Sequence, residues 1–210
     1  SAANCTIVVT YTPTATGTHN DTIEINYNDG GSALVASRDV TGEGANAALL
    51  TISNSPLFDF GVRAVGSTND QTFTVQNIGG VAATAMSGSG LALPFSFKGG
   101  SYPGTGGTCG LSLAATTSCT IVATYAPTVS GVHSDTIDIA YNNGASGATA
   151  TRDLQGTAAL PAVLALSDVP YDFGSKAIGS STDFTFTLQN SGGFGASGIA
   201  GTGLASPFEF

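Results

Sequence analysis

The feature that most restricts this chain is that it repeats itself. Cys119–Tyr141, CTIVATYAPTVSGVHSDTIDIAY, returns almost unchanged as Cys5–Tyr27, CTIVVTYTPTATGTHNDTIEINY, shifted by 114 residues. Residues 163–210 repeat 49–97 with a shift of 113: Phe58-Asp59-Phe60-Gly61 becomes Tyr171-Asp172-Phe173-Gly174, QTFTVQN becomes FTFTLQN, and PFSF becomes PFEF. A fixed period of about 113 residues marks a tandem array of structural units. The expected division is 1–44, the last strands of one unit; 47–158, a complete unit; and 161–210, the first strands of a third.

Within each unit the side-chain period is two. Ile7, Val9 and Tyr11 alternate with threonines and Val8, and Ile23, Ile25 and Tyr27 alternate with Thr22, Glu24 and Asn26. Phe73 and Val75 do the same in 71–77. That period belongs to strands with one buried face. Pro13 with Gly17, Asn28–Gly31 and Ser87–Gly90 punctuate them as turns. Strands are expected at Thr6–Tyr11, Thr22–Tyr27 and about 33–40 in the first unit, and some seven fall within each period. The expectation is therefore all-β: tandem Ig-like seven-stranded β-sandwiches with partial domains at both ends. A composition rich in Gly, Ala, Ser and Thr, with 9% charged residues and no Trp, suits short strands and tight turns.

Charge excludes other classes. The net charge is −9 with five basic residues, which argues against nucleic acid and against an anionic membrane surface. No apolar run is long enough for membrane insertion as a helix. The opening SAANC has neither the charged nor the apolar region of a leader.

Several markers, in order, resemble a known family: FDFG and YDFG, a glycine five residues on (Gly66, Gly179), Gln-Asn before Gly-Gly, PFSF and PFEF, then C-x9-C followed by a strand, Pro and Gly. Together they are similar to the bacterial choice-of-anchor D Ig-like repeats, relatives of the ASH and major sperm protein-type sandwiches. The resemblance implies a seven-stranded sandwich in large surface or secreted proteins. It implies no catalytic residues and no cofactor.

The repeat also explains three cysteines. Cys119 matches Cys5, whereas the counterpart of Cys109 falls before residue 1, so Cys5 is expected to pair outside this segment. A Cys109–Cys119 disulfide is expected, closing a short loop for roughly 2–3 kcal/mol and pointing to an oxidising, extracellular or cell-surface location. The rival is a metal site, which lacks a second cysteine pair or clustered histidines.

Other residues invite chemical readings, each weaker than its structural one. His19 and His133 stand in Gly-x-His-x-Asp contexts and are expected at the start of a strand, bonded to a turn. Arg38-Asp39 and Arg152-Asp153 recur in register and are expected to form cross-strand or inter-domain ion pairs. Asp21, Glu24 and Asp29, or Asp135 and Asp138, lack the spacing of a calcium loop. Gly61, Gly66, Gly79 and Gly80 lack the helix and lysine of a phosphate loop and are expected in turns. Lys98 and Lys176 occupy unrelated repeat positions, which disfavours a shared isopeptide crosslink.

The partial units expose what a whole sandwich hides. Ile7, Val9, Tyr11, Ile23, Ile25 and Tyr27 at one end, and Phe173, Phe184, Phe186, Leu188 and Phe208 at the other, are expected to need completion by adjacent repeats of a longer chain or by further copies, head to tail. The expected function is non-enzymatic: an extracellular fibre, stalk or surface filament serving adhesion or matrix. The alternative is a module whose sandwich-end loops bind a receptor or glycan, with the Gly99–Gly107 loop and Tyr102 as its candidate.

Overall fold

A computed structural model describes residues 3–168 and 170–210. Ser1 and Ala2, part of the N-terminus inspected for a leader, and Val169 lie outside the described residues. Among the described residues every regular element is a strand, and no helix is long and apolar enough to cross a membrane.

The central unit packs two four-stranded sheets. Its strands are β3 (Leu50–Ile52), β4 (Leu57–Ala64), β5 (Asn69–Asn77), β6 (Thr84–Ser89), β7 (Phe95–Phe97), β8 (Ser118–Tyr125), β9 (Gly131–Asn142) and β10 (Gly147–Ala159). One sheet runs β4-β10-β9-β6 and the other β3-β5-β8-β7. Pairing is antiparallel except β4 with β10, which is parallel. Eight strands appear where seven were expected because the first divides: the chain leaves one sheet after Ile52, turns through Asn54 at φ 65°, and joins the other at Leu57. β6 also occupies residues assigned above to a turn, which is confined to Gly90 at φ 93°.

The alternating residues meet between the sheets. Phe73, Val75, Ile121, Tyr125, Ile137, Ile139 and Leu154 are fully buried. Phe58 sets an edge against Phe60 and Phe73, and Phe95 stacks on Tyr125 at 4.8 Å. Aromatic pairs of this kind add to the gain from burying their area.

The flanking segments are thinner. β1 (Gly17–Asn28) and β2 (Ala33–Gly44) form a two-stranded antiparallel sheet before the central unit. After it, β11 (Leu164–Leu166) pairs with β12 (Leu188–Asn190). The stretch expected as a strand at Thr6–Tyr11 is in no strand, and of 184–190 only the last three residues are in one. The equivalent central strands β8 and β5 each have neighbours on both sides. A strand is defined by its ladder, and these segments lack one.

Candidate functional site

Two faces of the molecule combine exposure with apolar side chains, and both belong to the flanking segments. At the N-terminal face Ile7, Val9, Tyr11, Ile25 and Tyr27 are exposed, Ile7 at 58%. At the C-terminal face Phe184, Phe186, Leu188 and Phe208 are exposed, Phe208 at 54%. Ile23 and Phe173 are half-buried, so within each face one of the residues singled out is already partly covered.

Each face keeps the internal geometry of the matching half of the central sandwich. Tyr11 bonds His19 Nδ1 through its hydroxyl at 2.7 Å, as Tyr125 bonds His133 at 2.8 Å. Thr22 donates to Asp39 at 2.8 Å, as Thr136 does to Asp153 at 2.9 Å. On the C-terminal side Tyr171 meets Phe173 edge-on at 4.9 Å, like Phe58 and Phe60 at 5.0 Å. Phe173 lies 5.8 Å from Phe208, as Phe60 lies 5.9 Å from Phe95. These side-chain pairs are kept although the counterparts of β4, β6, β7 and β8 form no ladder.

The histidines are thus not at the ragged start of a strand. His133 lies inside β9 and orients the buried Tyr125, whose ionisation is pushed up by burial and then by the Asp59 carboxylate. The partner is eight residues away on the neighbouring strand of the sequence pattern, where alternation gives no hint of it.

Arg152 corrects a second expectation. Instead of a cross-strand or inter-domain ion pair, its buried guanidinium donates to the carbonyls of Ile52 and Pro56. Those carbonyls flank the switch between sheets, where no strand is available to bond them. A buried cation is costly unless its donors are met; here the two terminal nitrogens satisfy backbone acceptors, while the buried Nε has no partner among the described residues. Its counterpart Arg38 stands exposed.

Asn77 organises the entry of the chain into the unit. It is wholly buried; its Oδ1 accepts from Leu49 N and Gly79 N, and its Nδ2 donates to the carbonyls of Val81, Leu113 and Ala114. Gly79 lies so close to Ala47 and Ala48 that a Cβ would collide with their backbone, and Gly80 N donates to Asn46 O at 3.0 Å. These glycines serve close approach rather than a turn conformation. The device recurs: Asn190 accepts from Val163 N and Gly192 N, a Cβ on Gly192 would strike Pro161, and Gly193 N donates to Leu160 O at 3.1 Å. At both places the residues just after the last strand of one unit are gripped by the next.

Cys109 and Cys119 form a disulfide, buried, with Cα atoms 4.9 Å apart. Cys5 is a free, exposed thiol. The Gly99–Gly107 loop does not display Tyr102: its ring meets Phe97 edge-on at 5.8 Å and its hydroxyl bonds Gly110 O at 3.2 Å, while burial pushes its ionisation up. Lys98 pairs with Asp70 at 2.9 Å, and that ammonium together with the Thr124 hydroxyl holds the Asp70 carboxyl below its ordinary value. Lys176 is exposed. Asp135 accepts from Ala92 N and Thr136 N, and no group of three or more metal-ligating side chains is found among the described residues.

A family model for the HYDIN/CFA65/VesB-like Ig-like domain matches residues 51–157, the central unit. The chain belongs to that family. Compared with curated proteins, the sequence matches none. Among solved structures, Vibrio cholerae VesB protease is similar at 18% identity and a TM-score of 0.42, over 53% of this chain and 32% of that one. The ASH/PapD-like domain 7 of human CEP192 is similar at 19% identity and a TM-score of 0.41, over 55% of this chain and 88% of that one. A Porphyromonas gingivalis W83 protein of unknown function has 14% identity and a TM-score of 0.41, over 69% and 67%. The chain thus spans about a third of the VesB protease chain. The family domain is Ig-like, and nothing in the match is specific to choice-of-anchor D repeats.

Proposed function

We propose that the protein is a non-enzymatic extracellular structural component, in which Ig-like units of the choice-of-anchor D kind follow one another as a fibre, stalk or surface filament for adhesion or matrix. The observation that carries this reading is the repeated junction. The Asn-Gly-Gly grip on residues 46–49 and again on 160–163 leaves no free linker between successive units. An array with gripped junctions transmits position along its length; one with flexible linkers does not. The buried disulfide supports an oxidising location. The folded-down Tyr102 favours this over a glycan- or receptor-binding loop, since a binding aromatic must present its face.

Electron microscopy of the purified native protein tests the reading. Elongated particles with a regular axial spacing of one unit support it. Discrete globular particles, with the protein retained inside the cell in reduced form, overturn it.

A further inference from the structure

The hairpin turn between β9 and β10 is built twice, with one chemical difference. In the central unit it reads Asn142-Asn143-Gly144, and between β1 and β2 it reads Asn28-Asp29-Gly30. The bonds are the same. Asn143 Oδ1 accepts from Ala145 N at 2.9 Å and Ser146 N at 2.8 Å, as Asp29 Oδ1 accepts from Gly31 N and Ser32 N, both at 2.8 Å. Asn142 Oδ1 accepts from Gly144 N, as Asn28 Oδ1 does from Gly30 N. Asn143 N donates to Ser146 O at 2.9 Å, and Asp29 N to Ser32 O at 3.2 Å. A side-chain amide thus stands where the other copy holds a carboxylate. We propose that Asn143 is a self-modification site: its side-chain amide is lost as ammonia, with water as the co-reactant, and the turn becomes the aspartate form that the other copy already encodes.

Of the chain's asparagines only Asn143 precedes a glycine. The reaction requires the next residue's backbone nitrogen to reach Cγ, and glycine has no Cβ in the way. The turn itself demands that glycine: Gly144 lies at φ 97°, and a Cβ there would press on Val81 at 3.0 Å. Residues 144–147 are exposed, so base and water reach the bond, and solvent competes for the contact between Gly144 N and the exposed Asn142 side chain. Gly144 N gives up its proton and bonds to Cγ. Negative charge gathers on Oδ1, where the Ala145 and Ser146 N–H groups already point. The Cγ–Nδ2 bond breaks, the proton leaves with ammonia, and a cyclic imide remains. Water then opens the imide at the new Cγ–N bond, restoring the backbone and leaving a carboxylate. The paired N–H groups favour that direction because they bind the anion. Asp29 shows the effect: the Ser32 and Gly31 amides hold its carboxyl below the ordinary value. Opening at the main-chain carbonyl would instead add a methylene to the backbone (isoaspartate) and displace Asn143 O, which accepts from Ala48 N at 2.9 Å.

Peptide mapping by mass spectrometry, on native protein held warm at mildly alkaline pH, tests this. The peptide spanning 142–146 is expected to gain about 1 Da ahead of every other asparagine-bearing peptide. It is also expected to co-elute with the same peptide from the Asn143→Asp variant. That variant is expected to melt within about 2 °C of the parent, because the turn accepts a carboxylate without rearrangement. The native chain is expected to convert at no less than about a tenth of the rate of the same chain unfolded in urea, since an exposed turn opens without global unfolding. A native rate below that, a main product that elutes as isoaspartate apart from the Asn143→Asp peptide, or a larger fall in melting temperature for Asn143→Asp overturns the assignment.

Discussion

Cys119–Tyr125 and Cys5–Tyr11 are nearly the same seven residues in two situations. The first is the central strand β8, held between β5 and β7, with Ile121 and Tyr125 fully buried. The second is in no strand and exposed. The C-terminal side gives the same contrast: Phe73 is at 0% exposure and its counterpart Phe186 at 41%. Identical local preference yields a strand in one place and not in the other, so here the ladder partner decides, and propensity only permits. Side-chain arrangements that need no distant partner, such as Tyr11 with His19, survive in both.

The largest expected effect sharpens that contrast. Phe73→Ala should cost the central unit about 3–5 kcal/mol in denaturant unfolding, while Phe186→Ala in a dissociated chain should change stability by less than about 0.5 kcal/mol, as exposed sites do. Equal losses would break the comparison. Next comes the disulfide: Cys109→Ser should lower stability by roughly 2–3 kcal/mol, and reduction of the parent protein should match it. Asn77→Ala should cost about 1–3 kcal/mol or more because it strands buried carbonyls. Asn190→Ala, whose site is open to water, should cost a fraction of that in the same melting experiment.

The smallest effect is a pH dependence. Asp70 has a folded value below its ordinary 3.8, from Lys98 first and Thr124 second. It therefore adds stability above about pH 4, and that contribution disappears as pH falls through the depressed folded value. Asp70→Asn should flatten the acid limb of the stability profile by well under 1 kcal/mol, since the pair is partly exposed.

Much of this architecture is legible in the sequence. Alternation correctly turns Phe73 and Val75 inward. Three things were not legible for physical reasons. A period of two cannot say whether a strand has a neighbour, so Thr6–Tyr11 read as a strand. An arginine recurring in register on a strand reads as a partner for a cross-strand or inter-domain acid, whereas Arg152 is recruited by carbonyls about a hundred positions earlier, at a sheet switch that has no sequence signature of its own. The Gly79-Gly80 pair reads as a turn because crowding by Ala47 and Ala48 is a tertiary fact. The recurrence of Asn-x-Gly-Gly or Asn-Ser-Gly-Gly at the same phase was the available clue to its junction role.

The parallel pairing of β4 with β10 has a mechanical consequence. β4 follows the point where the chain enters the central unit, and β10 ends at Ala159, where it leaves. Tension applied through the two junctions pulls these neighbouring strands in opposite directions along their length. Their rungs from Leu57–Asp153 to Ala64–Ala159 are then loaded together in shear, not peeled one after another. We expect a single high-force rupture when the molecule is stretched from its ends. Leu57→Pro, which fixes the backbone at the first rung, should lower that force more than it lowers the melting temperature.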